Sequence, residues 1–228
     1  MNHSTALVTG ASRGLGLALA SALAREGYSL IIDARDGDAL AKAAAEIGGQ
    51  VTAIPGDVTD PAHRAALARA VEAAGGLDLL VNNAGTLGAS PLPALADYPV
   101  DELRTAFEVN VIAPVALTQL LLRPLRVRGG AVLNITSDAA VEAYTGWGGY
   151  GAAKAALEQA SNVLAAEEQT VRVWWADPGD LRTEMHQRAF PGEDISDRPL
   201  PSEVAPGFLR LVSERLPSGR YRAAELLS

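Results

Sequence analysis

The sequence contains no cysteine, which removes disulfides, thiolate nucleophiles and thiolate metal ligands together. Histidine is scarce, with only His3, His63 and His186. They stand too far apart for ligand spacing, so no metal site is expected. No block of lysine or arginine stands out, and the formal net charge is −8. That balance argues against a nucleic-acid partner. No stretch approaches the roughly 20 continuous apolar residues of a membrane span, so no membrane partner is expected. A strand-like run starts within a few residues of Met1, leaving no room for a signal peptide. The expectation is a soluble, cytoplasmic protein without internal repeats or low-complexity tracts.

What the chain does have is apolar residue, 48% of its 228 positions, enough for a substantial core. Short apolar runs alternate with amphipathic stretches. Strands are predicted at 5–9, 28–32, 51–54, 77–81, 131–135 and 171–175. Helices are predicted at 15–25, 38–47, 61–74, 101–125 and 150–167. This alternation implies a Rossmann-type α/β fold: a doubly wound parallel sheet of about seven strands with helices on both faces. After Trp175 the pattern changes to a proline-, glycine- and charge-rich stretch, read as a loop with a short helix capped by Asp180 near Leu181. A helix over 202–215 and an edge strand over 220–227 complete the expectation. No interdomain linker is visible, so residues 1–228 read as a single domain with a substrate loop near 180–201.

Two constellations carry chemistry. Strand one runs into Thr9-Gly10-Ala11-Ser12-Arg13-Gly14-Leu15-Gly16 and then a helix. Glycines allow a tight turn and close backbone approach to a pyrophosphate, while the helix start offers N–H groups. The plain alternative is an ordinary strand-to-helix turn. Far along the chain, Tyr150 and Lys154 lie four residues apart on one predicted helix face, with Ser137 upstream. A nearby ammonium favours phenolate and is expected to lower the tyrosine pKa. Singly, each of these residues has an ordinary structural reading. Tyr144 is the rival tyrosine, but Gly148 stands where its lysine partner would be.

Taken in order, these residues resemble the short-chain dehydrogenase/reductase family of the single-domain kind. Its TGxxxGxG turn matches Thr9 to Gly16, its NNAG motif Asn82 to Gly85, and its helix-borne asparagine Asn110. Ser137, Tyr150 with Lys154, and Pro178-Gly179 with Thr183 match its remaining motifs. The resemblance implies a nicotinamide cofactor held by Gly10, Ser12, Arg13, Gly14, Leu15, Gly16, Arg35, Asp57, Val58, Asn83, Ala84, Gly85, Tyr150, Lys154, Pro178, Gly179 and Thr183. It implies catalysis by Asn110, Ser137, Tyr150 and Lys154. Ser137 would bond the carbonyl oxygen, Tyr150 would protonate it, and Asn110 would fix a water that relays protons to Lys154.

Against the family pattern, Ala34 takes the position of the ribose-binding acid and Arg35 follows it. Arg13 and Arg35 then favour NADP(H), because a guanidinium suits a 2′-phosphate. A slip of one residue would make Asp33 the ribose acid, so NAD(H) stays possible. Leu87, Ala139, Val141, Tyr144, Trp147, Leu181 and Met185 are the substrate-pocket candidates, with 184–200 as a lid. The resemblance implies a small-molecule carbonyl or alcohol substrate, of medium size by these pocket residues, and a homodimer or homotetramer. A non-catalytic NADP(H) sensor or scaffold is the alternative. Asp138 and Asp177 depart from the family pattern, and the residues offer no reason for Asp138.

Overall fold

In a computed structural model describing residues 4–227, seven strands form one sheet: β1 Thr5–Val8, β2 Ser29–Ala34, β3 Val51–Pro55, β4 Leu79–Asn82, β5 Ala131–Ile135, β6 Arg172–Asp177 and β7 Gly219–Arg222. Their order is β3-β2-β1-β4-β5-β6-β7, and every neighbouring pair is parallel. His3 lies outside the described residues. The Rossmann-type expectation is met. Side-chain alternation explains how one sheet serves two cores. Ala6 and Val8 face one side with Leu30, Ile32, Leu79 and Val81, while Leu7 faces the other with Ile31, Leu80 and Val132. Burying each such leucine or isoleucine contributes about 1.5–3 kcal/mol.

Helices cover both sides. The first core takes α1 (Gly14–Arg25), α8 (Pro201–Ser213) and α9 (Ala223–Leu226), with Leu40 from α2 (Gly37–Ile47). The second takes α3 (Pro61–Ala73) through Leu67 and Val71, and α5 (Ala113–Arg128) through Leu117, Leu121 and Leu125. Local chemistry sets several starts. Asp36 caps α2 by accepting from the Ala39 amide, and Asp60 caps α3 just before Pro61, as its sequence position predicts.

Three expectations are corrected. The predicted helix at 101–125 is α4 (Val100–Phe107), a π-helical turn at Glu108–Ile112, and then α5. The whole run Val100–Arg128 is long and apolar enough to cross a membrane by composition, yet α5 packs its leucines against the sheet. The predicted edge strand stops at Arg222, because Ala223 and Leu226 turn into the α8 side as a one-turn helix. The third concerns Asp180. Helix α7 (Glu184–Ala189) begins at Glu184, not Leu181, and its cap is Thr183, whose hydroxyl accepts from the His186 amide. Asp180 instead lies 3.7 Å from both His186 and Arg198.

Candidate active site

The strand order reverses between β1 and β4, so the loops at their carboxyl ends diverge and leave a crevice. Gly10 sits there with φ +65, and a Cβ on it would meet the Ala84 Cα at 2.9 Å. Thr9 and Asn83 lock the two loops together. The Thr9 Oγ1 accepts from the amides of Asn83 (3.0 Å) and Ala84 (3.1 Å), and the Asn83 amide side chain donates to Thr9 O and Gly10 O. No side chain caps α1, so its first-turn amides keep their donor capacity beside the crevice.

A cleft of about 1330 Å³ runs from here to the far end of the sheet. Its walls include Gly10, Ser12, Arg13, Gly14, Leu15, Arg35, Asp57, Val58, Asn83, Ala84, Gly85, Pro178, Gly179 and Thr183 on the expected cofactor side. Gly16 does not line it; the residue packs under the turn, where its missing side chain leaves room for the Gly10 carbonyl. Asp33 is wholly buried. One carboxylate oxygen accepts from the Gly10 amide (2.8 Å) and the other bonds the His63 Nε2 (2.9 Å). In the slipped register Asp33 would meet the ribose, yet both its oxygens are already bonded, one to the glycine turn and the other to His63 of α3. Arg13 reaches across the cleft to Glu184 at 2.6 Å. Asp36, Ala39 and Gly56 also line this end. Sequence reasoning misses them; the signal is their adjacency to Arg35 and Asp57.

Ser137, Tyr150 and Lys154 meet at the other end. Helix α6 (Gly148–Glu167) carries Tyr150 and Lys154 on one face. The Lys154 Nζ donates to Ile135 O (2.8 Å) and stands 5.5 Å from the Tyr150 ring centroid. Ser137 accepts from the Ala139 amide (3.2 Å) and donates to Asp138 (3.0 Å). The second Asp138 oxygen accepts from Tyr144 (2.8 Å).

Behind this group, Arg220 donates to Ser137 O (3.3 Å) and to both Glu158 oxygens (3.0 and 3.1 Å), while Thr136 donates to Glu158 (2.8 Å). Sequence reasoning misses this pin on the serine segment, although Glu158 falls four residues beyond Lys154 on the same face. Asn110 does not reach the cleft. Wholly buried, it donates to Thr86 O and Ala106 O and accepts from the Thr86 amide. Its side chain holds the loop after β4.

Leu87, Ala139, Tyr144, Trp147, Leu181 and Met185 line the same cleft, whereas Val141 does not and is 55% exposed. Phe190 completes the apolar wall, 5.9 Å from the Trp147 ring and 4.8 Å from His186. A lone aromatic in the polar stretch after Gly179 is its signal.

A model of the short chain dehydrogenase family matches residues 4–194. The chain belongs to the short-chain dehydrogenase family. Serine 3-dehydrogenase of Rhizobium radiobacter is 36% identical over 185 residues, which is 79% of this chain and 73% of that one. The 1-deoxy-11-beta-hydroxypentalenate dehydrogenase of Streptomyces exfoliatus is 37% identical, covering 80% and 69%. A Shigella flexneri short-chain dehydrogenase complexed with NADP superposes with TM-score 0.91 at 31% identity, covering 98% of each chain.

Electrostatics in this short-chain dehydrogenase oppose one expectation. The Tyr150 pKa is raised, not lowered: burial dominates, the charges of Asp177 and Asp138 add to it, and the Ser137 bond only partly offsets them. Lys154 is pushed down to about 8 by burial. Its ammonium is thus poised rather than permanent, and the charges of Asp177 and Asp138 oppose ionisation of the phenol. Asp177, buried at the end of β6, is itself raised by burial, although the Gly179 amide bonds it.

Proposed function

We propose that this chain is an NADPH-dependent carbonyl reductase, reversible as an alcohol dehydrogenase. The observation that carries this reading is one cleft with a glycine turn at one end and Tyr150, Ser137 and Lys154 at the other. The fit to a dinucleotide rests on the glycine turn, where a Cβ on Gly10 would collide with the Ala84 backbone and push the two loops apart, and on the uncapped start of α1. A bound dihydronicotinamide supplies the hydride. Tyr150 gives its proton to the reacting oxygen, Lys154 holds positive charge beside it, and Ser137 orients the phenol. Trp147, Met185 and Phe190 exclude water over the pair. Exposed Ile112, Leu120 and Val127 on or beside α5 and Val163 on α6 support pairing of two copies through those helices.

NADPH is favoured because Asp33 is committed to Gly10 and His63, leaving Arg35, and Arg13 in exchange for Glu184, to meet a 2′-phosphate. Removing a charge-assisted bond costs about 1.5–3 kcal/mol, roughly a ten- to hundredfold loss. Arg35→Ala should lower the NADPH-over-NADH preference by that factor, read as kcat/KM across a panel of aldehydes and ketones. An unchanged preference would remove Arg35 from the phosphate site. No turnover of any carbonyl with either cofactor would overturn the reductase reading.

A pH limb follows from Lys154. Below its pKa of about 8 the side chain carries its charge, and above it the charge is lost. Carbonyl reduction should therefore fall as pH rises through about 8, measured as kcat/KM. The residual activity of Lys154→Arg, whose guanidinium does not titrate, should lack that limb.

A further inference from the structure

Asp138 lines the end of the cleft that holds Ser137, Tyr150 and Lys154. Its Oδ1 lies 3.0 Å from the Ser137 hydroxyl and its Oδ2 is 2.8 Å from the Tyr144 hydroxyl. Both partners are neutral. Among the described residues no lysine, arginine or histidine forms an ion pair with it; the nearby acid Asp180 is matched by His186 and Arg198, and Glu158 by Arg220. Asp138 is thus a carboxylate at the reacting end whose counter-charge the chain does not supply, and it acts directly on Tyr150. The substituent wall around it is apolar, from Leu87, Trp147 and Phe190, while Arg182 and Arg188 belong to the lid side of the same cleft.

The serine gives a second, independent constraint. A hydroxyl has one proton, and that of Ser137 goes to Asp138 while its oxygen accepts from the Ala139 amide. Asp138 therefore competes with a ketone oxygen for the one Ser137 proton. A cation arriving beside the reacting carbon changes both conditions at once. It supplies the missing counter-charge, and by drawing off the carboxylate it frees the serine proton for the ketone oxygen. A neutral ketone does neither.

We propose that Asp138 is a specificity-determining residue that selects substrates with a protonated amine on the carbon next to the reacting group: α-amino ketones in reduction and vicinal amino alcohols in oxidation. The inference rests on the reductase reading for what is turned over. In reduction the ketone carbon gains hydride from NADPH, its oxygen gains the Tyr150 proton, NADP⁺ leaves, and the ammonium is unchanged.

The test compares 1-aminopropan-2-one with hydroxyacetone, its neutral isostere, at a pH where the amine is protonated. NADPH-dependent kcat/KM is measured in wild type and Asp138→Asn. In parallel, the affinities of the enzyme–NADP⁺ complex for 1-aminopropan-2-ol and propane-1,2-diol are measured calorimetrically. A single charge pair of this kind should favour the ammonium compound by at least about tenfold in both assays, equivalent to roughly 1.4 kcal/mol. In Asp138→Asn, which keeps an oxygen for Ser137, the ratio should fall to within about threefold. A wild-type ratio near one overturns the proposal, and so does a preference that survives the substitution. Should the variant not fold, the wild-type ratio decides. Ammonium-selective binding without turnover of any carbonyl would sink the reductase reading and leave this one standing. Turnover without ammonium preference would do the reverse.

Discussion

Tyr150→Phe should reduce NADPH-dependent carbonyl turnover by about 10²–10⁴-fold with little change in fold stability. The two outcomes separate because of where the hydroxyl sits. The ring is buried and makes an edge contact with Trp147 at 5.7 Å, all of which phenylalanine retains. Removing the oxygen leaves no buried group stranded, since Ser137 keeps the Ala139 amide and Asp138 as partners. An apolar ring is also better suited than a phenol to a site where Asp177 and Asp138 already oppose ionisation. The rate loss therefore reports the missing proton donor rather than a damaged core. A thousandfold loss corresponds to roughly 4 kcal/mol of transition-state stabilisation. Turnover in the variant above about a tenth of wild type would rule out Tyr150 as the proton source.

How far such a site can be read from residues alone depends on what holds each one. The glycine turn and the Tyr150–Lys154 pair are legible because they are local: spacing along a strand-to-helix turn or a helix face decides them. The two-sided sheet is legible for the same reason, since alternation in β1, β2 and β4 sends successive residues to opposite cores. Asp33 is ambiguous in the sequence because its meaning depends on His63, thirty residues away in chain and 2.9 Å away in space. The cap of α7 is equally hard to place, because Asp180 and Thr183 both offer an oxygen nearby. Only the path of the loop brings the Thr183 hydroxyl to the His186 amide. Asn110 can be placed on its helix, but not the partners of its side chain. The π-helical turn carries it inward, where three backbone groups take up its amide. The raised Tyr150 pKa is hidden for a related reason. A lysine four residues away is visible in the sequence, whereas the burial of the ring and the approach of Asp177 are tertiary facts.

Gly16→Ala tests the cofactor end with an effect of comparable size. A Cβ at this position would stand 2.3 Å from Gly10 O, 2.9 Å from Gly10 C and 2.5 Å from the Asn83 amide nitrogen. The first two are backbone atoms of the turn itself, so no side-chain rotation relieves the contact. Moving Gly10 breaks its bond to Asp33, and moving Asn83 breaks the bonds that join the loops after β1 and β4. Overpacking of this kind costs about 1–3 kcal/mol. For a chain of this length that is on the order of 5 °C in melting temperature. The affinity for NADPH should weaken by roughly a hundredfold, equivalent to about 2.7 kcal/mol, because the displaced turn is the surface proposed to meet the pyrophosphate. Gly27→Ala separates this from simple backbone strain. Gly27 has φ +84, but a Cβ there would have nothing within 4 Å, so alanine meets only the left-handed penalty of about 1 kcal/mol. That variant should melt earlier while binding NADPH as wild type does. Equal NADPH affinity in the two variants would show that the close packing of Gly16 against Gly10 does not shape the cofactor site.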